Sequence, residues 1–169
     1  MSSGGFLTVA IKQIQFSRDY MWSVLKDVDD ADWFMMPAGC CTHVAWQVGH
    51  LAMAEYGLCL FRQRGRAEID GELMTSRFRK QFSRGSVPEA DPTKNPSVEE
   101  IRNVLNHVHI QAMKELPALS EATLDETVDM PYSVFPTKLG ALYFCAQHEM
   151  IHAGQIGFLR RLMGKSPVH

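Results

Sequence analysis

The chain repeats apolar side chains at helical spacing in four segments, which connections containing Pro or Gly separate. The first segment covers residues 7–28, and the second runs from a predicted cap at Thr42 to Arg64. The first stripe consists of Leu7, Ile11, Ile14, Met21, Trp22, Leu25 and Val28. No run alternates convincingly with a period of two, and only the short stretch 127–135 has strand-like character. The pattern therefore predicts an all-α protein.

The third and fourth segments have the clearest helix starts. Ser97 and Glu100 form a capping box in which each side chain satisfies a free backbone amide of the other. Apolar positions then continue to residue 119, and Pro117 is predicted to kink or terminate this helix. The fourth helix is predicted to begin at a Thr137 cap and to run to Met163, where a glycine follows.

Four long helices in 169 residues predict a single domain, residues 1–169, built as a four-helix bundle. About thirty residues separate helices two and three. They are predicted to contain a short helix within 70–82 and an irregular stretch over 85–96. A helix of about 22 residues is about 33 Å long, so two parallel helices need a crossover of this kind. Helices two and three are therefore expected to run in the same direction.

Composition and charge narrow the class of protein. Hydrophobic residues make up 46% and charged residues 21% of the chain, which permits a packed core. The formal net charge of -2 argues against a dedicated nucleic-acid binder. One region is locally basic, with Arg62, Arg64, Arg66, Arg77, Arg79, Lys80 and Arg84. A solvated surface interleaved with acidic residues is its ordinary interpretation, and an anion-binding or partner patch is the alternative.

The sequence also indicates a compartment. The first residues lack the basic and apolar regions of a secretory signal. No run approaches the roughly 18 apolar residues that suggest a membrane span. Cys40, Cys41, Cys59 and Cys145 show no regular disulfide framework. We therefore expect a cytoplasmic protein with free thiols and no membrane partner.

Three histidines form the candidate chemical site. His148 and His152 are four residues apart, so they lie about 40° apart around helix four and can reach one ion. Their face is expected to point inward. His50, on helix two, is predicted to meet them across the bundle, although a hydrogen-bonded core histidine is the usual interpretation of His50 alone. Three neutral histidines with an open fourth position are typical of a catalytic metal site.

Several neighbours of these histidines have open interpretations. Glu149 is predicted to be a solvated neighbour, an orienting group or a proton carrier, of which the first is the commonest. Gln155 is expected on the inward side, either bonding a ligand or packing. His43 is interpreted as a surface residue or a substrate-side group, and Cys145 as a small buried residue or an added ligand. The remaining histidines, His107, His109 and His169, are assigned no role.

The letters His148-Glu149-x-x-His152 also occur in zinc proteases, where the Glu is the general base. Here Phe158 stands where a metzincin would place its third His, and no acidic residue follows Glu149. The all-α pattern also provides no sheet that could bind an extended peptide. A peptidase is therefore not expected.

Residues 46–52 (Trp-Gln-Val-Gly-His-Leu-Ala) and 148–156 (His-Glu-Met-Ile-His-Ala-Gly-Gln-Ile) resemble the two signatures of the DinB-like superfamily of damage-inducible metalloproteins. The resemblance implies an up-down-down-up bundle and frequent homodimers. It also implies a divalent ion, most often zinc or nickel, held by His50, His148 and His152. Members with known activity mostly use low-molecular-weight thiols, as transferases or isomerases.

The resemblance implies a metal-dependent transferase that activates such a thiol, with Glu149 and Gln155 as catalytic candidates and a small-molecule substrate. The ergothioneine sulfoxide-synthase branch does not fit, because it has a carboxylate where this chain has Gly154. Two alternatives stay open. One is a metal-hydroxide hydrolase in which Glu149 or His43 handles the proton. The other is a non-catalytic metal-binding stress protein.

Overall fold

The computed structural model describes residues 3–130 and 134–168, and every regular element in them is helical. The helices are α1 (Ser3–Leu25), α2 (Val44–Glu55), α3 (Arg62–Arg64), α4 (Asp70–Leu73), α5 (Ser76–Gln81), α6 (Val98–Glu115), α7 (Glu121–Leu124) and α8 (Lys138–Leu162). A π-helical turn, Tyr56–Phe61, joins α2 to α3. No strand occurs in the described ranges, so the all-α prediction is confirmed.

The candidate strand over 127–135 reduces to one isolated antiparallel bridge between Thr127 and Thr137. Residues 131–133 of that stretch lie outside the described residues, as does His169. No described helix combines the length and the apolar character needed to cross a membrane.

The four long helices pack as two pairs that meet through α2 and α8. Helix α1 lies along α8, α2 lies along α6, and α2 also contacts α8. The α2–α8 contact matters most for function, because these two helices carry the three candidate ligands. The largest side chains buried between the elements include Trp33, Phe78, Phe82, Ile14, Met21, Leu51, Ile101 and Leu105.

Three of the four long helices begin at a side-chain cap. Ser97 Oγ accepts from the Glu100 amide, and Thr137 Oγ1 accepts from the Gly140 amide, as predicted. The predicted cap of helix two is wrong. His43 takes that place, because its Nδ1 accepts from the Trp46 amide at 3.1 Å.

The crossover between α3 and α6 contains two short helices, α4 and α5, within the stretch where one was predicted. Residues 85–96 are irregular apart from a single 3-10 turn, Pro92–Lys94. After α6 the chain tightens into another 3-10 turn, Leu116–Ala118, because Pro117 has no amide hydrogen to continue the helix. The crossover carries Phe82, whose ring is fully buried against α2.

The π-helical turn changes which residues face the site. In an uninterrupted helix Phe61 would lie about 20° from His50 around the axis. The π turn inserts one residue, and the Arg62 amide accordingly bonds back to the Gly57 carbonyl. Phe61 is rotated away from the His50 face and is 47% exposed.

Candidate metal centre

The three predicted ligands come together where α2 meets α8. One ring nitrogen from each of His50, His148 and His152 lies within 4.8 Å of the others. The Nε2 atoms of His148 and His152 are 3.2 Å apart. Two nitrogens bound to one tetrahedral ion at about 2.0–2.1 Å would be about 3.3 Å apart, so this pair already has ligand spacing. The cluster fits a divalent ion.

The orientation of His50 is fixed by the crossover. Its Nδ1 lies 2.7 Å from the carbonyl oxygen of Phe82. Because a carbonyl only accepts, Nδ1 carries the proton and Nε2 keeps its lone pair. The indole of Trp46 stacks on one face of the His50 ring, with centroids 4.8 Å apart and planes 7° apart. His50 is therefore held in the tautomer and orientation of a metal ligand.

His152 is oriented by an amide that the sequence analysis did not single out. Its Nδ1 donates to Oε1 of Gln47, while the Gln47 amide nitrogen donates to Thr42 Oγ1 at 2.9 Å. Gln47 is 2% exposed, and its contact with Thr42 Oγ1 holds the amide in place. The Nε2 lone pair of His152 is consequently left for an ion.

The histidines are neutral at ordinary pH. Burial lowers the pKa of His148 to about 4, with a contribution from His50. Burial, together with the neighbouring His148 and His50, lowers the pKa of His152 to about 3. Burial also outweighs the Phe82 carbonyl and lowers the pKa of His50. Neutral imidazole is the form that binds a metal, so protons do not compete with an ion near neutrality.

A cavity of about 440 Å³ opens beside the cluster. Its lining residues are His50, Met53, Ala54, Gly57, Leu58, Arg62, Arg84, Phe144 and His148. Two of the three candidate ligands therefore border space that a small molecule can enter. Most other walls are apolar, as is usual for small-molecule sites.

Glu149 is not a solvated neighbour, which was its commonest expected role. It is 1% exposed, and Arg18 donates to both of its carboxylate oxygens, at 2.6 and 3.3 Å. Arg18 also donates to Glu55 at 2.8 Å, and Glu55 in turn contacts Nδ1 of His109 at 2.7 Å. We call Arg18, Glu55, Glu149 and His109 the buried ionic cluster. His109, which was assigned no role, belongs to it.

The pKa values of the two carboxylates of this cluster are shifted in opposite directions. Burial raises the pKa of both, but Arg18 and His109 together hold the pKa of Glu55 below its usual value. Arg18 offsets only part of the burial of Glu149, whose pKa is raised. Through its ion pair with Arg18, the Glu149 side chain connects α8 to α1 next to His148.

Gln155 does not lie on the inward side. Its side chain is exposed, whereas His152 is 8% exposed. On the helix, Gln155 lies about 20° beyond His148, and His148 already sits at the edge of the buried face. The expected inward placement of Gln155 is wrong. Gln155 follows His148 by seven residues, and the rotation between them moves it from the edge of the buried face onto the exposed face.

His43 is not a surface residue. It is fully buried, and its Nε2 lies 3.0 Å from the Glu89 carbonyl while Nδ1 caps α2. Cys145 is buried and contacts the Cys59 thiol, which fits the packing interpretation. All four cysteines are free.

Two signals for the missed residues exist in the sequence. Arg18 stands four residues after Ile14 and three before Met21, inside the apolar stripe of α1. Gln47 precedes His50 by three residues on a largely apolar helix. A polar residue at a core position needs a buried partner, which both side chains have. The Phe82 carbonyl has no sequence signal, because any residue has a carbonyl.

The fold and site define a helical protein with a three-histidine candidate metal centre. Residues 13–156 match the profile of the DinB superfamily, so the chain belongs to that superfamily. The crystal structure of a conserved Enterococcus faecalis protein has a similar fold, with a TM-score of 0.72 and 16% sequence identity. The similarity covers 94% of this chain and 97% of that one. No curated protein matches the chain.

Proposed function

We propose that this protein is a divalent-metal-dependent enzyme whose ion is held by His50, His148 and His152. The observation that carries the proposal is the convergence of three ring nitrogens within 4.8 Å. The bonds from His50 to Phe82 and from His152 to Gln47 support it, because they leave Nε2 of both rings unprotonated. The all-nitrogen ligand set suits zinc or nickel.

The reaction we propose is transfer of a low-molecular-weight thiol to an electrophile. When bound, the metal lowers the pKa of a thiol, so that the thiolate forms near neutral pH. The chain supplies three neutral ligands and a cavity of about 440 Å³ beside two of them. Most of its walls are apolar, which suits an organic acceptor for the thiol.

The hydrolase alternative has less support from the site. In the hydrolase alternative, Glu149 or His43 would accept the proton of the metal-bound water. Both oxygens of Glu149 accept from Arg18, and both ring nitrogens of His43 are engaged by backbone groups. The catalytic roles predicted for Glu149 and Gln155 stay predictions. We propose that Glu149 instead positions His148 by anchoring α8.

Cobalt substitution tests the metal and the thiol together. Protein loaded with one equivalent of Co²⁺ is titrated with 2-mercaptoethanol, and the visible absorption bands are followed. We expect a sulfur-to-cobalt charge-transfer band to appear and to saturate. His50→Ala should lose the cobalt bands, whereas His107→Ala, an exposed histidine outside the site, should keep them. Cobalt bands that no thiol perturbs would exclude the thiol reaction and leave only metal binding.

We also propose that the protein is a homodimer. The side of α8 opposite the core carries Ile151, Phe158 and Leu162, which are 57%, 55% and 47% exposed. Exposed apolar residues arranged along one helix favour a protein contact. Sedimentation of the wild-type chain should give a dimer, and Phe158→Asp should give a monomer. A wild-type monomer at 100 μM would contradict this assignment.

Two further features are proposals at this stage. The helix pairs α1–α8 and α2–α6 are compatible with an up-down-down-up bundle, which the length of the crossover also favours. The four free cysteines favour a reducing, cytoplasmic location.

A further inference from the structure

The cavity beside the candidate metal centre has an unusual distribution of charge. Arg62 and Arg84 both line it, while no Asp or Glu is among its described lining residues. Met53, Leu58 and Phe144 provide apolar parts of the same wall. A cavity with two cations, no acidic residue and a metal-ligand cluster has a net positive charge. It therefore selects for ligands that carry a negative group.

The π-helical turn brings Arg62 to this cavity. Without the inserted residue, Phe61 would follow His50 and Gly57 along the same face of the helix. With it, Phe61 turns to solvent and Arg62 lines the cavity. π turns are rare in helices and occur frequently at functional sites. Replacing a phenyl ring by a guanidinium at this position changes the ligand that the cavity can bind.

Arg62 is fixed in place by backbone oxygens. Its guanidinium donates to the carbonyl of Gly57 at 3.1 Å and to that of Asp129 at 3.5 Å. These carbonyl contacts fix the position of the guanidinium at the wall of the cavity. A guanidinium is planar and carries five N–H donors in a geometry that matches a carboxylate.

Arg84 approaches from the crossover. It lies three residues after the end of α5, its side chain is exposed, and it forms no ion pair with any described residue. The crossover is anchored close by, because Trp46 Nε1 donates to Ser86 Oγ at 3.0 Å and Phe82 is fully buried. Arg84 therefore extends into the cavity from a fixed part of the loop.

We propose that this cavity binds a small organic carboxylate, with the carboxylate between Arg62 and Arg84 and the apolar body against Met53, Leu58 and Phe144. The opposite end of the ligand then lies at His50 and His148. The identity of the group at the histidines, the thiol or its acceptor, rests on the proposed function. The arginines assign the chemical class of the ligand independently of the reaction.

The test compares a carboxylate with a neutral analogue of the same size. Hexanoate and hexanamide are titrated into the full-length protein at low ionic strength, with and without zinc, and affinities are obtained from NMR shifts. Charged hydrogen bonds to arginine should make hexanoate bind about 10-fold more tightly. Equal affinities for the two compounds would overturn the proposal.

Variants assign the preference to particular side chains. Arg84→Gln should abolish most of the preference for hexanoate and leave hexanamide binding unchanged. Arg77→Gln is the matched control, because Arg77 is exposed on α5 and does not line the cavity. Equal losses in both variants would point to general surface charge and overturn the site. Arg62→Gln should weaken hexanoate binding as well, and Arg62→Lys should restore part of it if the fold is intact.

The failures of the two proposals are distinguishable. Hexanoate contains no sulfur and is also measured on metal-free protein, so its binding does not depend on thiol chemistry. A cobalt site that thiols perturb, combined with no preference for carboxylates, would refute only the anion subsite. Tighter binding of hexyl phosphate than of hexanoate would replace the carboxylate by a phosphate ester as the ligand class.

Discussion

Two hydrogen bonds within the protein select the nitrogen atoms that are available to an ion. His50 donates to a backbone carbonyl, and His152 donates to Gln47, so both rings present Nε2. In each case the partner is itself fixed, by the buried Phe82 ring or by Thr42. The rings do not need to reorganise on metal binding, which preserves affinity.

Removing the acceptor of His152 should weaken metal binding. We expect Gln47→Ala to lower zinc affinity about 10- to 100-fold, because His152 loses its preferred tautomer and orientation. A competition titration with a chromogenic chelator measures this change. Gln47→Glu, which keeps an oxygen acceptor, should recover most of the affinity.

The matched control for this change is Gln63→Ala. Gln63 is a buried amide that donates to the carbonyls of Leu58 and Lys138 and contacts no histidine. Its removal should reduce stability without changing zinc affinity. Equal losses of affinity in Gln47→Ala and Gln63→Ala would mean that packing, not tautomer selection, controls the site.

The lowered pKa values of His148 and His152 predict how pH affects the metal-free protein. Unfolded histidines bind a proton near pH 6.5, whereas the folded ones do so only near pH 4 and 3. The unfolded state therefore binds more protons below pH 6.5, and the free energy of unfolding falls as pH falls. We expect about 1 kcal/mol of lost stability per pH unit for each histidine between pH 6 and 5.

Urea unfolding at several pH values measures this dependence. His152→Asn should flatten the pH profile, since it removes one of the buried histidines whose pKa is lowered. His107→Ala, at an exposed position, should leave the slope unchanged. A wild-type slope of zero between pH 6 and 5 would show that the buried histidines are not proton-linked.

At the scale of elements, helical periodicity predicted the four long helices and placed His50, His148 and His152 together. Periodicity fails where the helix departs from 3.6 residues per turn, as it does over Tyr56–Phe61. The π turn exchanges Phe61 for Arg62 at the cavity, and no residue type in that turn marks it in a single sequence. The cap of α2 was also missed, because His43 is a less common N-cap residue than Thr42.

Helix α2 packs so closely against the crossover at Gly49 that adding one methyl group there should destabilise the protein. A Cβ atom added to Gly49 would lie 2.5 Å from the ring of Phe82, whose carbonyl holds His50. We expect Gly49→Ala to destabilise the fold by about 1–3 kcal/mol through overpacking. Because Phe82 must move, zinc affinity should fall too.

Gly154→Ala provides the control for that substitution. Gly154 is exposed on α8, and a Cβ there would meet no atom within 4 Å. Alanine should raise stability by up to about 1 kcal/mol through its better helix propensity, and zinc affinity should not change. Thermal unfolding by circular dichroism compares the two variants. A Gly49→Ala protein as stable as the wild type would contradict the close packing of Phe82.

For the whole molecule, the buried ionic cluster connects the helices on which the site depends. Arg18 on α1 donates to Glu55 on α2, to Glu149 on α8 and to the Leu105 carbonyl on α6. This one side chain on α1 therefore contacts each of the other three long helices. In the sequence Arg18 stands between Ile14 and Met21 in the apolar stripe of α1, which indicates a buried position but not its partners. Only tertiary structure reveals that its partners are buried carboxylates.

Arg18→Met should consequently be among the most damaging single substitutions. It leaves the buried Glu55 and Glu149 without their cation, which should cost about 3–5 kcal/mol of unfolding free energy. Lys94→Met, which removes an exposed ion pair with Glu89, should change stability very little. Adding Glu149→Gln to Arg18→Met should recover part of the loss, since it removes one unpaired charge. If Arg18→Met instead unfolds at the same urea concentration as the wild type, the cluster does not hold the four helices together, and the alignment of α2 with α8 must come from apolar packing alone.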